Sequence, residues 1–207
     1  MLEVEMKFAG VDFGPMERRL AEWGARPGPL LQEADHYFNA PDRDFAQTDE
    51  ALRLRRVGPA NFVTYKGPKR DLQTKTRTEV EVPLAEGDRA AEDFIRLLTH
   101  LGYRPVAVVR KRRRIFHLER AGFPVAVSLD EVEGLGRFVE LEVQASEKRM
   151  AAARAAVQKL AAELGLTASE RRSYLELLLA ADSKGDAVPS RTARRKDRHD
   201  SPRRRHR

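Results

Sequence analysis

Residues 2–8 read LEVEMKF, and within them Glu3, Glu5 and Lys7 alternate with Val4, Met6 and Phe8. In a strand, successive side chains point to opposite faces, so both carboxylates and the ammonium share one face and the apolar residues the other. Like charges two residues apart are separated by ~7 Å. At an effective dielectric of ~20 they repel by ~2 kcal/mol. A chain that keeps this arrangement either leaves the face in water or gives the carboxylates something to bind.

The pattern recurs along the chain. Arg53 and Arg55 share a face of ALRLRRV (51–57), with Leu52 and Leu54 opposite. Lys75, Arg77, Glu79 and Glu81 share a face of TKTRTEVEVPL (74–84). Lys111 and Arg113 share a face of RPVAVVRKRRRIFHLE (104–119), and Glu140 and Glu142 a face of GRFVELEVQA (136–145). Asp130 ends the apolar alternation of FPVAVSLDEV (123–132), and Lys66 stands in NFVTYKG (61–67). Any one such strand reads plainly as a half-buried sheet with its polar face in water. Solvated faces mix signs, however, with opposite charges paired across strands. Here two strands carry paired carboxylates and two others paired cations, while the opposite faces are apolar enough to lie under helices. A sheet curled with its charges inside inverts the usual arrangement, and such an interior calls for a ligand. Clustered carboxylates suit hard divalent cations such as Mg²⁺ or Mn²⁺. Facing Arg and Lys side chains match phosphate oxygens. Together they describe a polyphosphate held along a tunnel, with displacement at phosphorus as the chemistry.

The remaining elements fit around these strands. LQEADHYFN (31–39) is a further strand, which brings the expected number to eight. Helical spacing of apolar residues marks 12–24, ended by Gly24, and 86–102, and an alanine-rich run after a Ser146 cap marks 146–165. RRSYLELLLAA (171–181) closes the body as a last amphipathic segment that covers the sheet or contacts another subunit. Strand runs broken by helices without strict alternation argue an α+β fold with a mostly antiparallel sheet. Trp23 and Phe94 fall on helix faces and read as core. His36, His100 and His117 lack metal-ligand spacing, although His117 has the parity of Lys111 and Arg113.

Composition narrows the function classes. Charged residues make up 34% of the 207, and the net charge is +7. Ten Lys/Arg against four Asp lie in 182–207, which leaves 1–181 close to neutral. The expected organisation is one domain over 1–181 and a basic tail over 182–207, whose lack of apolar residues reads as disorder. The absence of cysteine excludes disulfides, thiolate metal sites and cysteine nucleophiles, and fits a reducing compartment. The start lacks the charged and apolar regions of a signal peptide, and no apolar run approaches a bilayer span, so a cytoplasmic protein without membrane contact is expected.

Glu3-x-Glu5-x-Lys7 resembles the ExExK signature of the CYTH superfamily, the triphosphate tunnel metalloenzymes. The similarity continues in order through QEADHYFNAP (32–41), LRLRR (52–56), YKGP (65–68), RTEVEV (77–82), Lys111-x-Arg113, SLDEVEGLGRFVELEV (128–143) and RRSYLELLL (171–179). The resemblance implies an eight-stranded antiparallel β-barrel forming a charged tunnel, with flanking helices and an Mg²⁺ or Mn²⁺ cofactor. It implies metal ligands at Glu3, Glu5 and Glu142 with Glu140 close by, and triphosphate contacts from Lys7, Arg53, Arg55, Lys66, Lys111 and Arg113. Among these, Glu3, Glu5, Lys7, Lys111 and Asp130 form the implied catalytic set, Asp130 either orienting a basic residue or holding a metal. Glu79 and Glu81 match a second acidic position, in ion pairs with Arg77 or at a second metal. A homodimer is a further expectation from the resemblance.

The same machinery serves two reactions. In a class IV adenylate cyclase, the branch this chain resembles most in style, the ribose 3′-oxygen of ATP displaces pyrophosphate. In an inorganic or organic (thiamine-type) triphosphatase, water releases phosphate. The partner is accordingly a nucleoside triphosphate or inorganic triphosphate. Two other classes remain open: a nucleic-acid-binding protein acting through the basic tail, and a triphosphate sensor without turnover.

Overall fold

The computed structural model describes residues 2–68 and 77–185. Alternating sequence becomes β1 (Leu2–Ala9), β2 (Arg26–Asn39), β3 (Ala51–Val57), β4 (Ala60–Lys66), β5 (Glu79–Leu84), β6 (Arg104–Arg120), β7 (Phe123–Val132) and β8 (Gly136–Ala145). The helices are α1 (Phe13–Glu22), α2 (Phe45–Thr48), α3 (Asp88–His100), α4 (Met150–Glu163) and α5 (Tyr174–Gly185). All strand pairings are antiparallel, in the order β1-β8-β7-β6-β2-β3-β4-β5. Among the described residues no pairing joins β1 to β5. The sheet nonetheless curls until its edges face each other, because Glu3 of β1 interacts electrostatically with Lys66 of β4 and Glu79 of β5. The expected barrel is therefore a curled sheet whose seam is spanned by charged side chains.

Its convex face carries the main core. Val4 and Phe8 of β1, Phe116 and Leu118 of β6, Val125, Val127 and Leu129 of β7, and Val139, Leu141 and Val143 of β8 are buried there. Met16 and Leu20 of α1 and Ala153, Val157 and Leu160 of α4 cover them, and Trp23 packs at the margin. Asp12 caps α1 by accepting from Gly14 N–H at 3.1 Å. Gly24 ends the helix with φ +71°, a conformation that favours glycine. A smaller cluster seats Ala91, Phe94 and Leu98 of α3 on Phe38 and Leu54. Long hairpins join the curl: Ala121 and Gly122 both have positive φ between β6 and β7, the pairing a two-residue primed turn needs.

Three expectations change. The strand expected over 74–84 begins at Glu79, since the partner of Glu79 is Lys66, where β4 ends. Lys75 lies outside the described residues, and Arg77 precedes the strand. β2 starts at Arg26 and not at 31; a register irregularity between Pro27 and Leu30 carries the strand past prolines that read as loop. Ser146 makes no side-chain cap, and a 3₁₀ turn (Glu147–Arg149) leads into α4 instead. The last amphipathic segment covers the sheet, and α5 runs beyond 181 to Gly185.

Leu141→Ala, at a fully buried convex-face position, should cost about 2–5 kcal/mol in urea unfolding. Val80→Thr on β5, half exposed, should stay within about 0.5 kcal/mol.

Candidate active site

The concave face encloses a cavity of about 540 Å³. Glu3, Glu5, Lys7, Arg53, Arg55, Lys66, Glu79, Glu81, Lys111, Arg113, Glu140 and Glu142 all line it. The alternation read in the sequence thus converges from six strands into one space.

The cations of β3 and β6 are fixed from the strand between them. In register, Asp35 of β2 lies opposite Arg55, and Glu33 opposite Lys111. Arg55 grips Asp35 as a fork, at 2.7 and 2.8 Å. Lys111 Nζ lies 3.0 Å from Asp35 and 2.8 Å from Glu33, with Lys111 4% and Asp35 1% exposed. Arg53 is held more loosely, 3.6 Å from Asp35 and 3.4 Å from the Thr64 hydroxyl. Burial alone would push the Asp35 carboxyl up. Lys111, Arg55 and Arg53 outweigh it and hold the group well below the usual aspartate range. Burial and the nearby Arg55 in turn lower Lys111. Lys66 pairs with Glu79, and Glu81 accepts from the Thr64 hydroxyl at 3.0 Å. Glu79 also faces Arg77 at 3.6 Å.

β1 and β8 present the opposite condition. Their register sets Glu5 directly across from Glu142 and Lys7 across from Glu140. Burial raises Glu3 well above the usual carboxylate range, and Glu142 and Glu5 push it further. Burial also raises Glu142, with Glu5 and Glu140 adding to it against a 3.1 Å hydrogen bond from Gln144. Lys66 opposes the rise at Glu3 and Arg113 that at Glu142, and these buried, mutually repelling carboxylates fit a divalent cation. Among the described residues no three acidic groups converge into a ready-made cage. The donor set therefore suits an ion of the Mg²⁺ type, which takes one or two carboxylates and completes its shell with water and phosphate oxygens.

Arg113 joins the two walls. It donates to Asp130 at 2.6 Å and also bonds Glu140. Asp130 is fully buried and is not among the residues lining the cavity, and its contact with Arg113 is compatible with orienting a basic residue. Part of the lining mixes apolar side chains with Asp44, Asp49, Glu50 and Glu176. α2, the start of β3 and α5 contribute Phe45, Ala46, Ala51, Leu175 and Leu179. Val106 joins them where β6 skips a pairing, between Ala107 opposite Tyr37 and Pro105 opposite Phe38. Such bulges re-aim side chains beside sites.

With this geometry in view, comparison with known proteins is decisive. The CYTH domain family model matches residues 1–174. The chain belongs to the CYTH family. The "Putative adenylate cyclase MJ0240" of Methanocaldococcus jannaschii is 40% identical over 147 residues, 71% of this chain and 79% of that protein. Adenylate cyclase CyaB of Aeromonas hydrophila is 33% identical over 183 residues, 84% of this chain and 87% of its own. The solved PH1819 protein of Pyrococcus horikoshii OT3 superposes with a TM-score of 0.75 at 39% identity, covering 86% of this chain and 98% of that one.

The CYTH cavity also holds residues that the sequence reading passed over. Asp35 and Glu33 were visible as a third alternating set, Glu33-x-Asp35-x-Tyr37, within QEADHYFN. They form a pair of one sign like Glu3 and Glu5, and their pairing with Arg55 and Lys111 appears only in the register of β2 with β3 and β6. Tyr174 and the four-residue α2 gave no charge signal. No helix among the described residues is long and apolar enough to cross a membrane.

The pH dependence of stability follows from Asp35. A depressed carboxyl stabilises the fold above its ordinary value of about 4, and that stability is lost as pH falls through the folded-state value. Asp35→Asn should cost about 3–5 kcal/mol at pH 7, because Arg55 and Lys111 stay buried without their partner. It should also flatten the acid limb of a stability-against-pH curve from chemical unfolding.

Proposed function

We propose that this CYTH protein is a metal-dependent enzyme of the class IV adenylate cyclase type, converting ATP to cyclic AMP and pyrophosphate. The observation that carries this reading is a single cavity that brings together anchored cations on β3, β4 and β6, buried and mutually repelling carboxylates on β1 and β8, and apolar side chains from α2 and α5. Arg53, Arg55, Lys66, Lys111 and Arg113 bind the polyphosphate and neutralise charge gathering on the leaving pyrophosphate. Their preorganisation by Asp35, Glu33 and Asp130 means little rearrangement is needed as that charge develops. Glu3, Glu5 and Glu142, with Glu140 near, hold Mg²⁺ or Mn²⁺, which when bound supplies Lewis-acid activation of the attacking hydroxyl. Phe45, Leu175 and Leu179 offer the base an apolar seat, which inorganic triphosphate has no use for. That seat favours a nucleotide over the triphosphatase reading.

Product analysis of purified protein with Mg²⁺ or Mn²⁺ tests the proposal, with ATP in one reaction and inorganic triphosphate in another. Cyclic AMP and pyrophosphate from ATP are expected. Phosphate from triphosphate with ATP left intact would make the chain a triphosphatase on the same scaffold, and no product in either would make it a sensor. Glu5→Gln and Glu142→Gln should each lower metal-dependent turnover at least 100-fold while the fold is kept, since each removes a ligand and relieves repulsion. Truncation after Gly185 should leave turnover intact, whereas a nucleic-acid-binding role for the tail predicts loss of polyanion binding.

A further inference from the structure

The triphosphate cations come from β-strands, yet two of the groups expected to bind phosphate also meet α5. Tyr174, the first residue of that helix, is 6% exposed and stacks edge-on against Phe138, with ring centroids 5.0 Å apart at 71°. Its hydroxyl donates to Asp130 at 2.7 Å, on the carboxylate that grips Arg113. Its ring face lies under the Lys7 ammonium, 4.1 Å from the centroid, and Lys111 is 5.7 Å away. The chain entering α5 clasps Lys7 twice more. The Lys7 carbonyl accepts from Glu170 N–H at 2.7 Å, and its ammonium donates to the Arg172 carbonyl.

One side chain therefore sits between three cations of the cavity, reaching Arg113 through its hydroxyl and Asp130, and Lys7 and, more distantly, Lys111 through its ring. The hydroxyl acts through Asp130 on Arg113: it donates to Oδ2, one of the two oxygens that the guanidinium fork already bonds, and so holds the carboxylate in place against that fork. The ring acts on Lys7 directly, because an ammonium over an aromatic face is held without losing its charge or its remaining donors. Burial, with Glu140 and Asp130 nearby, raises the phenol well above its usual range, so the hydroxyl keeps the proton it donates.

We propose that Tyr174 is a positioning residue for the triphosphate, fixing Arg113 through Asp130 and Lys7 through its ring. The proposal rests on the triphosphate-binding reading above. It assigns α5 a role beyond covering the concave face: the helix sets the geometry of the phosphate contacts. Because Tyr174 acts on cations and not on the base, its loss should weaken ATP and inorganic triphosphate by the same factor.

Calorimetric titration of the full chain with inorganic triphosphate and with ATP, in Mg²⁺, tests this. Tyr174→Phe keeps the ring and removes the hydroxyl. It should raise Kd about tenfold for both ligands at unchanged stoichiometry, the scale of one hydrogen bond to a charged group. In an Asp130→Asn background the same change should add less than about twofold. Tyr174→Leu, which also removes the ring, should weaken both ligands further. A purely structural role would reduce the binding-competent fraction and leave Kd where it was. Independently of any change at 174, the side-chain methylene protons of Lys7 should resonate upfield in the wild-type chain, identified by their loss in Lys7→Arg. Unaltered Kd in Tyr174→Phe, additive effects with Asp130→Asn, or unshifted Lys7 resonances would each overturn the proposal. Failure of the wild-type chain to bind either triphosphate would overturn the underlying reading, and this proposal with it.

Discussion

Asp35 is the interaction on which the rest of the concave face depends. A curled sheet that turns its charges inward removes them from water, and an unpaired buried cation is strongly destabilising. β2 lies between β3 and β6, so one carboxylate there reaches Arg55, Lys111 and Arg53 at once. Glu33 takes up the remaining side of Lys111 and Arg55. With these contacts the cations keep their charge inside the fold. The convex face is then free to be apolar and to build the core under α1, α3 and α4.

That division explains why so much of the architecture could be read from sequence. Strict two-residue alternation with charge on one parity marks a strand and also which way it faces. Glu3 and Glu5, Arg53 and Arg55, and Lys111 and Arg113 each announced their face this way, and all of them line the cavity. Proline and glycine in RPGP concealed the start of β2, since the strand there runs through a register irregularity. Asp35 and Glu33 carry the same alternating signal, but which cations they hold depends on the register of β2 between β3 and β6, which only the fold supplies. Asp130 stood out in the sequence against Val125, Val127 and Leu129, but its contacts with Arg113 and Tyr174 appear only in the fold. Tyr174 is further removed still, since an isolated aromatic on an amphipathic helix reads as core and its polar tip shows only when Asp130 is beside it.

The two walls of the cavity differ in how far their electrostatics are satisfied. On β2, β3 and β6 each cation has a carboxylate within ion-pair distance, and Asp35 is held firmly ionised. On β1 and β8 burial and mutual repulsion push Glu3 and Glu142 toward protonation. A folded protein gains nothing in stability from the second condition. It is intelligible as a binding arrangement, in which positive charge arriving with the ligand relieves the repulsion.

The contrast also constrains how a triphosphate can enter. The cations are already partnered, so a bare polyanion would compete with Asp35, Glu33 and Asp130 for them while facing Glu3, Glu5 and Glu142 across about 540 Å³. A polyanion carrying a divalent ion meets neither obstacle: the ion answers the carboxylates of β1 and β8, and only the remaining phosphate charge falls to Arg and Lys. On the proposed function, the acidic wall would favour the metal complex over the free triphosphate, and the cationic wall would set which end of it lies where.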